Sequence, residues 1–325
     1  MNRMKRSFLV AAVATFSACL AVPADSLAQA FPIRLVTIVV PFPVGSTGDA
    51  VARKLADYMR AKTGGTVIVE NKVGADGNIA AQFVLRAPAD GHTLFLTGNS
   101  VHGANASLFK ELPFDPIGDF DFIGGIMALP MVLSVRADFP ANSVTELLAE
   151  AKKRQKPLFF ATGNNSTRGA SELFKLKSGL QAEHVPYRGS PQVLADLIGG
   201  QFDFAFLDTN TVVPAIKDGR VKALAVSTEK RTAALPNVPA LAEYFSGYSF
   251  VAWAGLATRS KTPPETLAKL TSLVHDFSID PATVSYLATF GSTPMPLSGK
   301  ELKSSVEADT RTWAEIVKAA NIEKK

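Results

Sequence analysis

One cysteine, Cys19, occurs in 325 residues, and it lies in a leader-like segment. Beyond residue 30 there is no thiol, which excludes disulfides, thiol catalysis and cysteine-based metal sites. Histidine is nearly as scarce. His92, His102, His184 and His275 show no H-x-x-x-H or comparable spacing, so neither a metal nor any other cofactor is expected. Phosphate signatures are missing too: G-x-x-x-x-G-K-[S/T] does not occur. A dinucleotide fingerprint is not met either, because Gly45 and Gly48 stand G-x-x-G with Asp49 directly after, an acid where pyrophosphate would sit. Charge of one sign is not concentrated. The 34 basic and 29 acidic residues give +5, and bases are interleaved with acids on helical faces, as in "AEAKKRQK". That pattern is a solvated surface, and no nucleic-acid partner is expected. After residue 30, no apolar run reaches the ~20 residues that a bilayer span needs.

The first thirty residues have the order of a secretory signal. Arg3, Lys5 and Arg6 precede the apolar run 8–14, and Ala28-Gln29-Ala30 offers a small-x-small cleavage site. A membrane anchor is disfavoured because Ser17, Pro23, Asp25 and Ser26 interrupt the apolar stretch. Cleavage after Ala30 is expected. Lipid attachment at Cys19 is the alternative, although Phe16 fits poorly where an aliphatic residue is usual. Processing leaves about 295 residues and, with Arg3, Lys5, Arg6 and Asp25 removed, takes the charge from +5 to +3. About two domains are expected from that length and from 47% hydrophobic composition, and the leader with no later membrane span points to a soluble protein outside the cytoplasm.

Strand-like and helical runs alternate almost from end to end, the pattern of an α/β protein with largely parallel sheets. Strands are predicted at 35–40, 66–70, 93–97, 131–135, 158–162, 184–187, 202–207, 223–227 and 250–257. Helix starts are marked at Ser143…Glu146, Thr262…Glu265 and Ser298…Glu301, where a hydroxyl and a glutamate three residues on can each bond an orphan backbone N–H. Gly199-Gly200 and Gly219 supply stops. One unit occurs twice: strand, polar glycine turn, helix, in "VVPFPVGSTGDAVAR" and again in "FFATGNNSTRGASELF". Two lobes facing each other would put one such turn on each wall of a cleft. A helix N-terminus offers unpaired N–H groups and the positive end of its dipole, so it favours an anion. Gly45-Ser46-Thr47-Gly48 and Gly163-Asn164-Asn165-Ser166-Thr167 add uncharged hydrogen-bonding groups. Either turn alone reads better as an ordinary capped turn than as an anion site.

Taken together, the motifs resemble the extracytoplasmic solute-binding proteins of tripartite tricarboxylate transporters, the Bug family. The resemblance spans the whole mature chain. It is carried by Pro41-Phe42-Pro43-x-Gly45 with Asp49 and Ala52-Arg53, by Val69-Glu70-Asn71-Lys72, and by Gly74 with Gly77-Asn78-Ile79. It continues through Ala87-Pro88-x-Asp90-Gly91, Leu112-Pro113-Phe114-Asp115-Pro116, Val185-Pro186-Tyr187-Arg188-Gly189, Asp196-Leu197-Ile198-Gly199-Gly200-Gln201 and Leu235-Pro236-Asn237-Val238-Pro239.

The resemblance implies a two-lobed periplasmic binding protein fold, type II-like, with the ligand cleft between the lobes. Lobe 1 would comprise 31–130 plus 251–325, and lobe 2 131–250. It implies a non-enzymatic, monomeric protein that delivers a small organic carboxylate to a membrane permease. By position, Phe42, Gly45, Ser46 and Thr47 form one wall, and Asn164, Asn165, Ser166 and Thr167 the other. Asn99, Ser100 and Asp208 lie at strand ends facing the cleft. Phe42 is the expected apolar wall, which suits aromatic as well as aliphatic diacids. Asp49 is read as a helix cap rather than a ligand contact.

The sequence departs from the family at Ser46, where a second glycine is usual, at Gly48, where a hydroxyl is usual, and at Arg168, where a small polar residue or histidine is common. Arg168 is a candidate reader of a second carboxylate, the alternative being an ion pair with Glu172. Two other functions compete. Gly98-Asn99-Ser100-Val101-His102 invites comparison with a hydrolase nucleophile elbow, but G-x-S-x-G finds histidine at residue 102. A free-standing sensor or scavenger shares the ligand cleft without the permease.

Overall fold

The computed structural model describes residues 31–325 apart from Ile33 and Phe290. The signal segment, its cleavage point and Cys19 lie outside the described residues. The first half of the described chain runs β1 (Val36–Val40), α1 (Thr47–Thr63), β2 (Val67–Asn71), α2 (Asn78–Arg86), β3 (Thr93–Gly98), α3 (Asn105–Leu108) and β4 (Phe120–Leu129). Then come β5 (Met131–Arg136), α4 (Val144–Lys153), β6 (Leu158–Thr162), α5 (Asn165–Ser178), β7 (Ala182–Pro186), α6 (Ser190–Ile198), β8 (Phe204–Asp208), α7 (Thr209–Lys217) and β9 (Val221–Val226). The chain closes with β10 (Ala252–Arg259), α8 (Pro264–Ile279), α9 (Pro281–Ala288), β11 (Thr293–Pro294) and α10 (Gly299–Ala319).

These strands form two mixed sheets, the frameworks of two lobes in a periplasmic binding protein fold. One has the order β11-β4-β10-β3-β1-β2, the other β7-β6-β8-β5-β9. In the first, β1 is parallel to β2 and β3, and β10 runs antiparallel to β3 and β4. In the second, β6 is parallel to β7 and β8, and β5 runs antiparallel to β8 and β9. The chain passes from one sheet to the other at Pro130, between β4 and β5, and returns between β9 and β10.

Both faces of each sheet are covered, which is why the strands read as apolar runs rather than as alternating ones. In β1, Val36, Ile38 and Val40 face one core and Val39 the opposite one. In β8, Phe204 and Phe206 point one way, Ala205 and Leu207 the other. On α1, Val51, Leu55 and Met59 are fully buried at helical spacing.

Three differences from the sequence reading have identifiable causes. Strand β4 is missing from the predicted set because Gly124-Gly125 interrupts its apolar pattern. Here glycine marks close backbone approach: a Cβ on Gly125 would lie 2.4 Å from the Met295 carbonyl, and one on Gly124 3.0 Å from that of Leu297. At α8, the expected cap at Thr262 does not form. Pro263 occupies the N-cap and Pro264 the first turn, while the Thr262 hydroxyl donates back to the Arg259 carbonyl at 2.8 Å. Ser143 and Ser298 do cap their helices, accepting from Glu146 N and Glu301 N. The third difference concerns α10, whose reach between two cores the sequence reading did not foresee. It begins against β4, where a Cβ on Gly299 would lie 2.0 Å from the Phe122 carbonyl. Further along, Trp313 and Ile316 enter the second core with Phe174 and Phe206. The Trp313 ring meets Phe250 edge-on at 6.2 Å.

Trp313 is fully buried and packs against both Phe250 and Gly169. Trp313→Ala should lower stability by about 3 to 5 kcal/mol in urea denaturation, with loss concentrated in the second lobe by hydrogen exchange.

Candidate functional site

A cavity of about 630 Å³ lies among the strand ends and helix starts of the two sheets. That size falls within the ~300–1,000 Å³ usual for small-molecule sites. Helix N-termini make much of its wall: those of α1, α5 and α6, and, through the N-cap residues Gly77 and Asp208, those of α2 and α7.

The first is the turn between β1 and α1. Ser46 is the N-cap, accepting from Asp49 N at 3.2 Å, and Gly45 takes φ +82°, which favours glycine. The Asp49 carboxylate faces away from the cavity and ties the turn together. It accepts from Gly45 N at 3.0 Å, from Arg53 Nε at 3.1 Å and Nη2 at 2.9 Å, and from Asn71 Nδ2 at 3.0 Å. Burial alone would raise its pKa, but these donors outweigh it and hold the carboxyl below the usual range. Its role is wider than the helix cap expected. The charge is spent on Arg53, leaving uncharged groups of Phe42, Ser46, Thr47 and Gly48 on the wall. Gly48 also has a steric reason, since a Cβ there would meet the Phe42 ring at 2.7 Å.

The second is the turn between β6 and α5. Asn164 caps α5, its Oδ1 accepting from Thr167 N at 2.9 Å, and Thr167 Oγ1 accepts in return from Asn164 N at 3.3 Å and Gly163 N at 3.2 Å. Asn164 and Ser166 reach the cavity. Thr167 is fully buried and occupied by this box, off the wall. Asn165 is also off the wall, donating to the Ser100 carbonyl at 3.1 Å and to Asn105 Oδ1 at 2.9 Å. These bonds, with Ser166 Oγ to Asn99 Oδ1 at 2.8 Å and Asn210 Nδ2 to Thr47 Oγ1 at 3.1 Å, join residues of one sheet's loops to the other's.

The third N-terminus was not anticipated. Gly189 caps α6 without a side chain, and Arg188, Gly189, Ser190 and Pro191 all line the cavity. The turn packs backbone to backbone on the second: a Cβ on Gly163 would lie 2.4 Å from Ser190 N and 2.5 Å from the Gly189 carbonyl carbon. Arg188 is exposed and, among the described residues, has no ion-pair or hydrogen-bond partner. The signal was present in Val185-Pro186-Tyr187-Arg188-Gly189, which marks the end of a strand before a helix. Sequence reasoning also missed the loop 73–77, where Ala75 and Asp76 adopt positive φ between Gly74 and Gly77.

Of the remaining candidates, Asn99, Ser100 and Asp208 line the cavity, and Gly45 does not. Asp208 is 7% exposed; burial pushes its carboxyl above the ordinary range, while the hydroxyls of Ser190 and Thr211 pull the other way. Arg168 lies off the wall. Its Nε is 3.8 Å from Glu172 Oε1, and burial lowers its pKa against the opposing pull of Glu172 and Asp76. His102, beside Ser100, is fully buried among Phe95, Phe120 and Phe122, with Nδ1 against Thr97 and Nε2 without a partner. Burial takes it down to about 3, so it is neutral and placed for packing rather than for general-base work. Among the described residues no cluster of His, Cys, Asp and Glu has the makings of a metal site, and no helix is long and apolar enough to cross a membrane.

Two outcomes follow. Gly163→Ala should cost about 1 to 3 kcal/mol, because backbone rather than a flexible side chain must move; a lowered urea midpoint checks it. Behind the wall, Trp253 Nε1 donates to Asp309 Oδ2 at 2.6 Å, and burial raises that carboxyl to about 6 despite the indole. An acid raised on folding keeps its proton longer in the native state, so its contribution falls as pH rises from about 4 to about 6 and is level above. The difference in stability between wild type and Asp309→Asn should therefore change by about 2 to 3 kcal/mol across that window, read as paired denaturation curves at pH 4 and pH 7.

Comparison with known proteins agrees with this geometry. Residues 51–322 match the model of the tripartite tricarboxylate transporter family receptor. Among solved structures, the chain is similar to R. palustris Rpa4515 with adipate, at 31% identity and TM-score 0.86, over 91% of this chain and 100% of that one. The periplasmic binding protein BugD is 31% identical, with TM-score 0.84 over 91% and 100% of the two chains. MatC of Rhodopseudomonas palustris with bound malate is 29% identical, with TM-score 0.81 over 88% and 100%. By the match over most of its length, this chain belongs to the TctC family of tripartite tricarboxylate transporter receptors, a family of binding proteins rather than enzymes.

Proposed function

We propose that this chain captures a small dicarboxylate in the periplasm and presents it to the membrane permease of a tripartite transporter. The observation that carries the reading is the cavity wall itself. Three helix N-termini supply uncharged donors, and Arg188 adds a cation that has no partner among the described residues. A carboxylate at each end of a short ligand satisfies both features: one end takes backbone amides and hydroxyls, the other a guanidinium, which binds carboxylate bidentately. The relatives with adipate and with malate each hold a dicarboxylate, which supports the class without fixing its length.

Capture works by closure in this reading. Lobe 1 is taken as 31–130 plus 251–325 and lobe 2 as 131–250, with α10 shared between their cores. A ligand touching Ser46 and Thr47 on one side and Asn164, Ser166 and Arg188 on the other stabilises only the closed arrangement. The leader supports export, and BugD, a periplasmic binding protein, supports the compartment. Arg168, held by Glu172, is assigned no ligand contact.

The test is isothermal titration of the mature protein with mono- and dicarboxylates of four to eight carbons, sugars and amines serving as controls. A dicarboxylate should bind, and Arg188→Gln should weaken it at least about tenfold, the loss of a charge-assisted pair, while weakening the matching monocarboxylate far less. Arg168→Gln should not discriminate between them. Equal losses for both ligands in Arg188→Gln would remove Arg188 from the site, and binding confined to sugars or amines would overturn the carboxylate reading.

A further inference from the structure

Among the described residues, charge on the cavity wall comes from Asp76, Arg188 and Asp208. Burial moves Asp208, the N-cap of α7, toward its neutral form, against the hydroxyls of Ser190 and Thr211 and its own backbone N–H. Asp76 has no such shelter. Its side chain is 28% exposed, and every residue of its loop, 73–77, lines the cavity. The loop is also held in an unusual shape. Ala75 at φ +46° and Asp76 at φ +52° follow each other in the left-handed region, and non-glycine residues persist there only where their surroundings over-determine them. Asn105 Nδ2 provides one such constraint, donating to the Asp76 carbonyl at 3.0 Å. The acid is thereby fixed at the wall by its backbone, where it repels an anion unless a cation answers it.

That cation is Lys325, which is not a wall residue. Its backbone is pinned beside α3, donating to the Leu108 carbonyl at 2.9 Å and accepting from Lys110 N at 3.0 Å. Its ammonium stands 5.5 Å from the centre of the Phe109 ring and pairs with the Asp76 carboxylate. Arg168 also acts on Asp76, but among the described residues it is not within ion-pair distance of that acid and is drawn to Glu172 instead. Nor does Arg188, on the same wall, pair with Asp76. We propose that Lys325 sets the affinity of the cleft from outside it: acting through Asp76, its ammonium cancels the negative charge of the loop 73–77 and lets an anionic ligand approach that wall. This rests on the reading of the cleft as a dicarboxylate site and extends it to a residue that no ligand touches.

Lys325→Met tests it, because it removes the charge while keeping the length of the side chain and the backbone bonds to Leu108 and Lys110. The mature protein is titrated calorimetrically with succinate, glutarate, adipate and malate at about 20 mM and about 500 mM sodium chloride, conditions that differ severalfold in screening length. Melting of each ligand-free variant is the folding control. The diacid that the wild type binds most tightly should bind Lys325→Met about fivefold more weakly at low salt, the gap closing to within about twofold at high salt, as befits a partly exposed charge. Asp76→Asn leaves Lys325 as a surplus cation and should bind more tightly than the wild type at low salt. The double variant, with no acid left to cancel, should return to within about twofold of the wild type. A role for Lys325 in packing alone predicts otherwise: a loss that salt does not change and that Asp76→Asn does not repair. That outcome, or undiminished affinity in Lys325→Met, would overturn the proposal and leave the dicarboxylate reading standing. A wild-type protein that binds none of the four diacids would remove that reading, and this extension with it.

Discussion

A buried carboxylate with four donors around it sets the first wall of the cleft. Asp49 holds the Gly45 amide, Arg53 and Asn71 at once, and Asn71 in turn donates to the Phe42 carbonyl at 3.0 Å. The turn, the first helix and the second strand are thereby fixed relative to one another. Had that charge pointed inward, the helix start would repel the anion that it otherwise attracts. Turning it outward onto Arg53 leaves this wall of the cavity with amides, hydroxyls and an aromatic ring. The electrostatics of the site therefore begin with a residue that does not touch it.

Across the cleft, the joining contacts are amides and hydroxyls. Asn165 bridges to Ser100 and Asn105, Asn105 reaches Asn78 Oδ1 at 2.7 Å, and Ser166 and Asn210 add one bond each. Bonds of this kind contribute about 1 kcal/mol apiece, because water replaces them when they part. A buried ion pair in the same place would leave desolvated charges to be rehydrated on opening. The contacts between the two sides therefore bury amides and hydroxyls rather than paired charges.

Much of the fold was legible because its causes are local. Apolar strands covered on both faces, serine caps with a glutamate three residues on, and glycines after helices are all written in short windows. The two polar turns were legible for the same reason. What escaped has a non-local cause. Strand β4 contains a glycine pair that only makes sense once Met295 and Leu297 are seen lying on it. Gly163 and Gly189 are distant in sequence, and nothing in either turn announces that their backbones touch. Arg168 and Arg188 illustrate the limit most clearly. Each arginine follows a strand and adjoins a helix start, but Glu172, one turn along α5, engages the first, and among the described residues no acid reaches the second. Position in a motif could not separate them; the neighbours did.

The long last helix carries a mechanical implication. Twenty-one residues give α10 a length of about 30 Å, and its two ends are embedded in different cores. Lobes joined only by two extended segments are free to twist about the line between them as well as to fold along it. A stiff rod seated at both ends resists torsion while permitting bending about an axis near its own anchorage. Helix α10 is thus a single rigid element seated in both cores, with Leu302 and Val306 in one and Trp313 and Ile316 in the other, so that neither core is complete without it.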